Sequence, residues 1–133
     1  MFYLDTNVII DDTVKKTASQ ILPHFKSLEP KEIAIPSIVI AELEFGAMHS
    51  ADYEKNMKIV KEFIAPYHII PFTQKEAAAY GQIREQLSKD GNIIGSNDML
   101  IAATALANGA TLVTHNTDEF ARVKGLHFED WRQ

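Results

Sequence analysis

The sequence has 133 residues, 13 Lys and Arg against 18 Asp and Glu, and no cysteine, and this length predicts one domain over residues 1–133. Its 46% hydrophobic and 23% charged residues are globular values that argue against wholesale disorder. The lack of cysteine excludes disulfides, thiolate metal sites and a Cys nucleophile. No apolar run reaches the ~18 residues of a membrane helix, and the N-terminus lacks a signal-peptide pattern, so we expect a cytoplasmic protein with no membrane partner. The net charge of −5 counts, at first sight, against a nucleic-acid partner.

The first third of the chain is predicted to hold two strands and one interrupted helix. Phe2–Leu4 is an apolar run that predicts a buried strand, with Asp5 at its carboxyl end. The acidic pair at 11–12 is interpreted as a solvated turn. Residues 14–28 carry apolar side chains at helical spacing, and Pro23 is expected to kink or split this helix. Residues 33–35 predict the second strand.

The middle of the chain is predicted to alternate helices with a strand. A helix is expected from Ser37, as its N-cap, to about residue 49, and an amphipathic helix over residues 52–64. His68–Ile70 is the third predicted strand. A long helix follows over residues 73–89, where Thr73 and Glu76 have the spacing of a capping box.

The last third begins with a polar loop over residues 90–97 and an Ala-rich helix over residues 98–108, which Gly109 ends. Thr111–Val113 and residues 126–128 predict the last two strands. Trp131 is expected to pack the C-terminal segment against the sheet. Alternating strands and helices predict parallel strands joined by helical crossovers, so the fold class is α/β: a three-layer α/β/α sandwich with a short-stranded, mainly parallel sheet.

Asp5 and Asp98 each have a functional interpretation and a simpler structural one. Asp5 at a strand end is either a solvated turn residue or part of a site at the carboxyl edge of the sheet. Asp98 in the first helical turn gains ~0.3–1 kcal/mol from the macrodipole without any further role. However, Ile101, Ala102 and Ala105 share its helix face, which predicts that Asp98 points inward.

Glu42 is the most informative carboxylate. At about 100° per residue, it lies on the same face as Ile38, Val39, Phe45 and Gly46, so it is expected to project from an apolar face. An unpaired charge there would cost several kcal/mol. The alternatives are a buried Glu held neutral, or one paired with Arg84 or Lys89.

The strand at 111–113 is predicted to bring more polar groups to the same sheet edge, namely Thr114, His115, Asn116, Asp118 and Glu119. Carboxylates a few ångströms apart repel one another, and protons or cations must relieve that repulsion. Oxygen ligands without Cys or a pair of His favour Mg²⁺ or Mn²⁺ over Zn²⁺. Such ions activate water and stabilise phosphoryl displacement, so these residues point to metal-dependent phosphodiester hydrolysis.

Four segments resemble the motifs of PIN-domain ribonucleases. Leu4-Asp5-Thr6-Asn7 resembles the first motif and residues 37–46 the second. Residues 97–103 resemble the third, and residues 112–116 with Phe120 the fourth. Their order, spacing and the chain length are most similar to the VapC toxins of toxin–antitoxin pairs, and the resemblance covers nearly the whole chain.

The resemblance implies site residues one by one. Asp5, Glu42 and Asp98 match the metal-binding acidic triad, and Thr6 matches a polar residue that often hydrogen-bonds in the site. Many members have Asp where this chain has Asn116, so we include Asn116 among the catalytic positions and expect a second metal to bind more weakly. Asp118 or Glu119 could supply the missing carboxylate; alternatively, only one metal is held firmly until RNA phosphates arrive.

The resemblance also implies an activity and partners. The expected enzyme is an endoribonuclease that uses Mg²⁺ or Mn²⁺ to cut a structured or translation-associated RNA such as a tRNA. The expected partners are a second copy in a homodimer and a cognate antitoxin, whose C-terminal segment covers the cleft while its N-terminal part binds operator DNA. The helix pair over residues 37–64 is either the antitoxin groove or simply core.

Basic residues and His115 have two interpretations each. Arg84, Lys89, Arg122 and Lys124 either contact RNA phosphates or are solvated surface. His115 either touches substrate or is structural. Because two bound divalent ions would reverse the local charge of the triad, an acidic chain can bind RNA through metal, with a weaker dependence on monovalent salt than a basic patch has.

Three other classes compete with this prediction. A haloacid-dehalogenase-like phosphatase needs a second Asp where this chain has Asn7, and a receiver domain needs an acidic pair and a Lys that are not placed correctly. A catalytically silent PIN-like binding module would have a broken acidic triad. The triad is whole, and only Asn116 favours this last alternative.

Overall fold

A five-stranded parallel sheet forms the centre of the computed structural model, which describes residues 1–13 and 21–132. The strands are β1 (Phe2–Leu4), β2 (Ile33–Pro36), β3 (His68–Ile70), β4 (Thr111–Val113) and β5 (His127–Glu129). Their order is β3-β2-β1-β4-β5. The register places Phe2 opposite both Ile33 and Thr111. The predicted α/β class and mainly parallel sheet are confirmed.

Helices cover both faces of this sheet. They are α1 (Thr6–Thr13), α2 (Leu22–Ser27), α3 (Ser37–His49), α4 (Tyr53–Ile64), α5 (Gln74–Lys89), α6 (Ser96–Ala107) and α7 (Thr117–Phe120), with a 3₁₀ turn at Pro30–Glu32. Successive residues of a strand point to opposite faces, and neighbours such as Ala34 and Ile35, or Leu112 and Val113, are all fully buried. Both faces of the inner strands β1, β2 and β4 are therefore packed, as the continuous apolar runs predicted, whereas the edge strands β3 and β5 are more exposed.

The predicted elements recur with a few differences. The helix predicted over residues 14–28 lies partly outside the described residues, which resume at Ile21, and α2 has Pro23 in its first turn. Ser37 was predicted as an N-cap, but Pro36 occupies that position and no side chain caps α3. This prediction was wrong because α3 begins directly at the end of β2. The short helix α7 was not predicted, since four residues carry no readable periodicity.

The capping box at the start of α5 also ties α5 to the end of α6. The Thr73 backbone N–H and hydroxyl both donate to Glu76 Oε1, the former at 2.8 Å. The Asn108 amide donates to Glu76 Oε2 at 2.9 Å, and Glu76 is only 2% exposed. These bonds hold the pKa of Glu76 down at about 2, most strongly through the Thr73 hydroxyl and against the effect of burial. Next to Asn108, Gly109 takes the left-handed φ of +63° that ends α6, as predicted.

The order of the strands places a crevice at the centre of the sheet. The chain leaves β1 toward β2 on one side, whereas β4 packs against the other side of β1. The connections therefore diverge at the carboxyl ends of β1 and β4, which is where open parallel sheets bind ligands. Asp5 and Thr114 are the first residues after these two strands.

The C-terminal segment packs as predicted. Trp131 is 1% exposed; its ring stacks on His24 with centroids 5.0 Å apart and meets Phe2 edge-on at 5.6 Å. Across residues 1–13 and 21–132, the structure has no helix both long and apolar enough to cross a membrane.

Candidate active site

Asp5 lies at the bottom of the crevice and is 4% exposed. Its Oδ1 accepts a hydrogen bond from the Thr6 N–H at 2.8 Å, and its Oδ2 accepts one from the Thr114 hydroxyl at 2.7 Å. Burial raises the pKa of Asp5, and the charge of Glu42 adds to this, whereas the two hydrogen bonds oppose it. A carboxylate in this position is fixed in direction and costly to keep charged.

Glu42 reaches the same crevice from α3. Its Oε1 accepts from the Thr6 hydroxyl at 2.6 Å, and its Oε2 accepts from the Asn97 amide at 3.3 Å. Only part of the apolar face predicted around Glu42 enters the core: Val39 is fully buried, whereas Phe45 is 71% exposed. Ile38, Glu42 and Phe45 line an open cavity of about 500 Å³. Glu42 therefore lies where the buried side of α3 meets its open side.

Asp98 approaches from the first turn of α6 and meets Asn116 and Glu119. The Asn116 amide lies 3.4 Å from Asp98 Oδ2. Burial raises the pKa of Asp98 to about 7, helped by a hydrogen bond with Glu119 and by the charges of Asp5, Glu119 and Glu42. Four carboxyl groups therefore share one electrostatic environment, and none of them forms an ion pair with a Lys or Arg of the described residues.

Thr114 connects two sides of the cluster. This fully buried residue donates its hydroxyl to Asp5 Oδ2 and accepts from the Asn116 N–H at 3.0 Å. It thereby fixes both the Asp5 carboxylate and the backbone that carries Asn116. Sequence reasoning placed Thr114 at this edge but gave it no role. A hydroxyl immediately after a buried strand was the available signal.

His115 and Asp11 form a pair behind the cluster. His115 Nδ1 lies 2.8 Å from Asp11 Oδ2, and the His115 N–H donates to Asn7 Oδ1 at 3.2 Å. Asp11 belongs to α1, so its interpretation as a solvated turn was wrong. The side chain at 12 lies outside the described side chains. Of the two alternatives for His115, the contacts favour the structural one.

Of the remaining predicted site residues, only some lie next to the acidic cluster. Asp118 is exposed on α7, whereas Glu119 turns toward Asp98. Arg84 is exposed on α5, where its guanidinium donates to the Tyr80 hydroxyl at 2.9 Å. Lys89 pairs with Glu85 at 3.5 Å. Neither base is therefore the partner of Glu42 that sequence reasoning considered.

The described residues hold no group of three His, Asp or Glu side chains already arranged as metal ligands. Hydrogen bonds from Thr6, Thr114 and Asn97 engage oxygens of Asp5 and Glu42, so these oxygens are not free to meet at one point. The arrangement is thus an acidic crevice whose oxygens are held by neutral donors. The space beside Asp98 is bordered by Gly95, where a Cβ would lie in van der Waals contact with Asp98 Oδ2, at 3.4 Å.

A helix-covered parallel sheet with polar side chains at its switch point defines a class of α/β/α proteins that bind ligands at the carboxyl ends of their strands. A profile described as PIN domain matches residues 2–126. The chain belongs to the PIN-domain family.

Known relatives match nearly the entire chain. Ribonuclease VapC2 of Haemophilus influenzae is 38% identical over 130 residues, covering 98% of this chain and 97% of the relative. The tRNA(fMet)-specific endonuclease VapC of Shigella flexneri is 35% identical over 130 residues, with the same coverage of 98% and 97%. The crystal structure of VapBC2 from Rickettsia felis, bound to a DNA fragment from its promoter, matches with a TM-score of 0.92 and 39% identity over 98% of this chain and 99% of that chain. This similarity supports the predicted relation to VapC proteins.

Proposed function

We propose that this protein is a VapC-type endoribonuclease that uses Mg²⁺ or Mn²⁺ to hydrolyse phosphodiester bonds in RNA and is neutralised by a cognate antitoxin. The observation that carries the proposal is the convergence of Asp5, Glu42, Asp98 and Glu119 on one crevice without a basic partner among the described residues. This concentration of negative charge is unfavourable by itself and favourable around a divalent cation.

The donor set fits a hard cation. Carboxylate and amide oxygens are the ligands that Mg²⁺ and Mn²⁺ prefer. Asp5, Glu42 and Asp98 would hold the ion, with Asn116 and Glu119 beside them. Glu119 rather than Asp118 supplies the carboxylate that Asn116 lacks, because Glu119 contacts Asp98 while Asp118 is exposed. When bound, such an ion supplies an activated water and neutralises charge on the phosphate under attack.

The neutral residues of the crevice position the acidic ones. The Thr6 hydroxyl holds Glu42 and the Thr114 hydroxyl holds Asp5, so each carboxylate keeps one oxygen fixed. The Asn97 amide bonds the second oxygen of Glu42 over a longer distance, 3.3 Å. Partners of this kind fix the direction of ligating carboxylates and tune affinity for the ion.

A structured RNA such as a tRNA is the proposed substrate, in line with the Shigella flexneri relative. With such a substrate, the protein works in the cytoplasm. The domain over residues 1–133 and the homodimer remain predictions. The antitoxin is supported by the Rickettsia felis VapBC2 structure. The proposed binding site for an antitoxin segment is an apolar pocket of about 160 Å³ between α1, α3 and α4. Its lining includes Ile10, Leu43 and Val60.

The test is RNA cleavage by the purified, antitoxin-free protein. Cleavage should require Mg²⁺ or Mn²⁺ and stop in EDTA. Asp5→Asn, Glu42→Gln and Asp98→Asn should each abolish it while the circular dichroism spectrum stays unchanged. Asp118→Asn is the matched control and should keep activity, because this neighbouring carboxylate is exposed and outside the cluster. Full activity in any triad variant, or metal-independent cleavage, would contradict the proposal.

A further inference from the structure

An exposed aromatic side chain stands beside the acidic crevice. Phe45 lies one helical turn after Glu42 on α3 and is 71% exposed. Its ring is stacked on His49, with centroids 5.8 Å apart and an angle of 16° between the planes. The imidazole therefore lies beside the phenyl ring, nearly parallel to it and displaced sideways. A large apolar ring left in water is unfavourable, and two stacked flat rings form a surface that suits another flat group.

The Phe45 ring and the carboxylates belong to one continuous cleft. The cavity of about 500 Å³ beside Phe45 is also lined by Thr6, Glu42 and Asn97. A second cavity of about 400 Å³ is lined by Glu42 and Asn97 again, together with Asp98. Because two residues are common to both cavities, a nucleotide that adjoins a phosphodiester at the carboxylates can enter the cavity beside Phe45.

This cleft lacks the usual means of holding RNA. Among the described residues, neither cavity is lined by a Lys or Arg. The described part of the cleft wall therefore offers no ion pair to a phosphate, the contact that dominates the affinity of basic nucleic-acid binders. Aromatic stacking is the main alternative, since every base has a flat face and unpaired RNA bases commonly stack on aromatic side chains.

We infer that Phe45, with His49 beside it, is the stacking surface for an unpaired nucleobase next to the scissile phosphate. This inference rests on the proposed function and adds the requirement that the cut lies in a single-stranded or unstacked stretch of the RNA. Two other occupants are possible for an exposed aromatic face: a second copy of this chain, or a segment of antitoxin. Continuity with the acidic cleft favours the base.

The experiment measures kcat/KM for cleavage of a short single-stranded RNA whose cut site has been mapped. The protein and the RNA are changed separately and then together. One perturbation is Phe45→Leu, and the other replaces each nucleotide flanking the cut, in turn, with an abasic residue. Phe45→Leu should lower kcat/KM on the intact RNA by about tenfold or more, which is the order of one stacked base. Phe45→Trp should restore activity. On the RNA that is abasic at the stacked position, Phe45→Leu should have almost no further effect.

A matched control is Met48→Leu, which changes another 71% exposed apolar residue of α3 that does not line the cleft. This variant should cleave as the parent does. An equal loss from Phe45→Leu on intact RNA and on every abasic RNA would overturn the inference. A loss of dimer in size-exclusion chromatography, or of antitoxin binding, with cleavage unchanged would also overturn it in favour of the other occupants. If the parent protein cuts no RNA in Mg²⁺ or Mn²⁺, the proposed function itself has failed.

Discussion

The buried carboxylate of Glu76 offers a quantitative test of how α5 and α6 are held together. A pKa of about 2, compared with an ordinary value of 4.5, corresponds to about 3 kcal/mol of stability at neutral pH. Glu76→Gln keeps the shape of the side chain but removes its charge. Because the amide retains part of the hydrogen bonding, we expect a loss of about 2 kcal/mol.

The sign of the pH dependence follows from the lowered pKa. Glu76 contributes its full stability above its unfolded value of 4.5 and loses it as pH falls toward about 2. The difference in unfolding free energy between the parent and Glu76→Gln should therefore narrow by about 1 kcal/mol between pH 7 and pH 3.5.

Urea unfolding followed by circular dichroism at the two pH values measures this gap. Glu85→Gln is the control, because Glu85 lies on the same helix with a 66% exposed side chain and a single surface ion pair with Lys89. That variant should change stability by less than about 0.5 kcal/mol. Equal stability of the two variants at pH 7, or a gap that does not change with pH, would refute the reasoning.

Two further predictions concern the crevice. Asp98→Asn should raise the melting temperature of the metal-free protein, and by more at pH 8 than at pH 5. Burial and neighbouring carboxylates raise the pKa of Asp98 from 3.8 to about 7, so the parent protein loses stability relative to the Asn variant as pH rises from the unfolded value through about 7. Asp118→Asn should leave the melting temperature unchanged at both pH values. Thr114→Val should weaken metal binding by about 10–100-fold, since it releases Asp5. Thr104→Val, an equally buried change within α6, should leave a Mn²⁺ titration unaltered, and equal titrations for both Thr variants would contradict the positioning role.

Much of the fold could be predicted because short-range patterns determine it. The apolar runs at β1 to β4, the Thr73–Glu76 capping box and Gly109 all depend on neighbours within a few residues. They need no knowledge of the tertiary structure. The sheet edge where Asp5 and Asp98 meet followed from the general rule for parallel strands.

What could not be predicted depends on contacts distant in sequence. The periodicity around Glu42 correctly identified an apolar face, but only the packing of α3 shows which of its faces is buried. The pairing of His115 with Asp11 joins α1 to the segment after β4. The choice between Asp118 and Glu119 depends on the orientation of a four-residue helix, α7.

The hydrogen bond between Thr114 and Asp5 spans 109 positions of the chain, and this has a consequence for synthesis. β1 leaves the ribosome first but occupies the middle of the sheet, where β4 must pair beside it. Until residues 111–119 have emerged, Asp5 lacks its Thr114 donor and the cluster lacks Asn116 and Glu119. The crevice of the nascent chain is therefore incomplete during most of its elongation. A chain that ends before Thr114 lacks one of the two hydrogen-bond donors of Asp5, so we expect such a truncated product to be inactive.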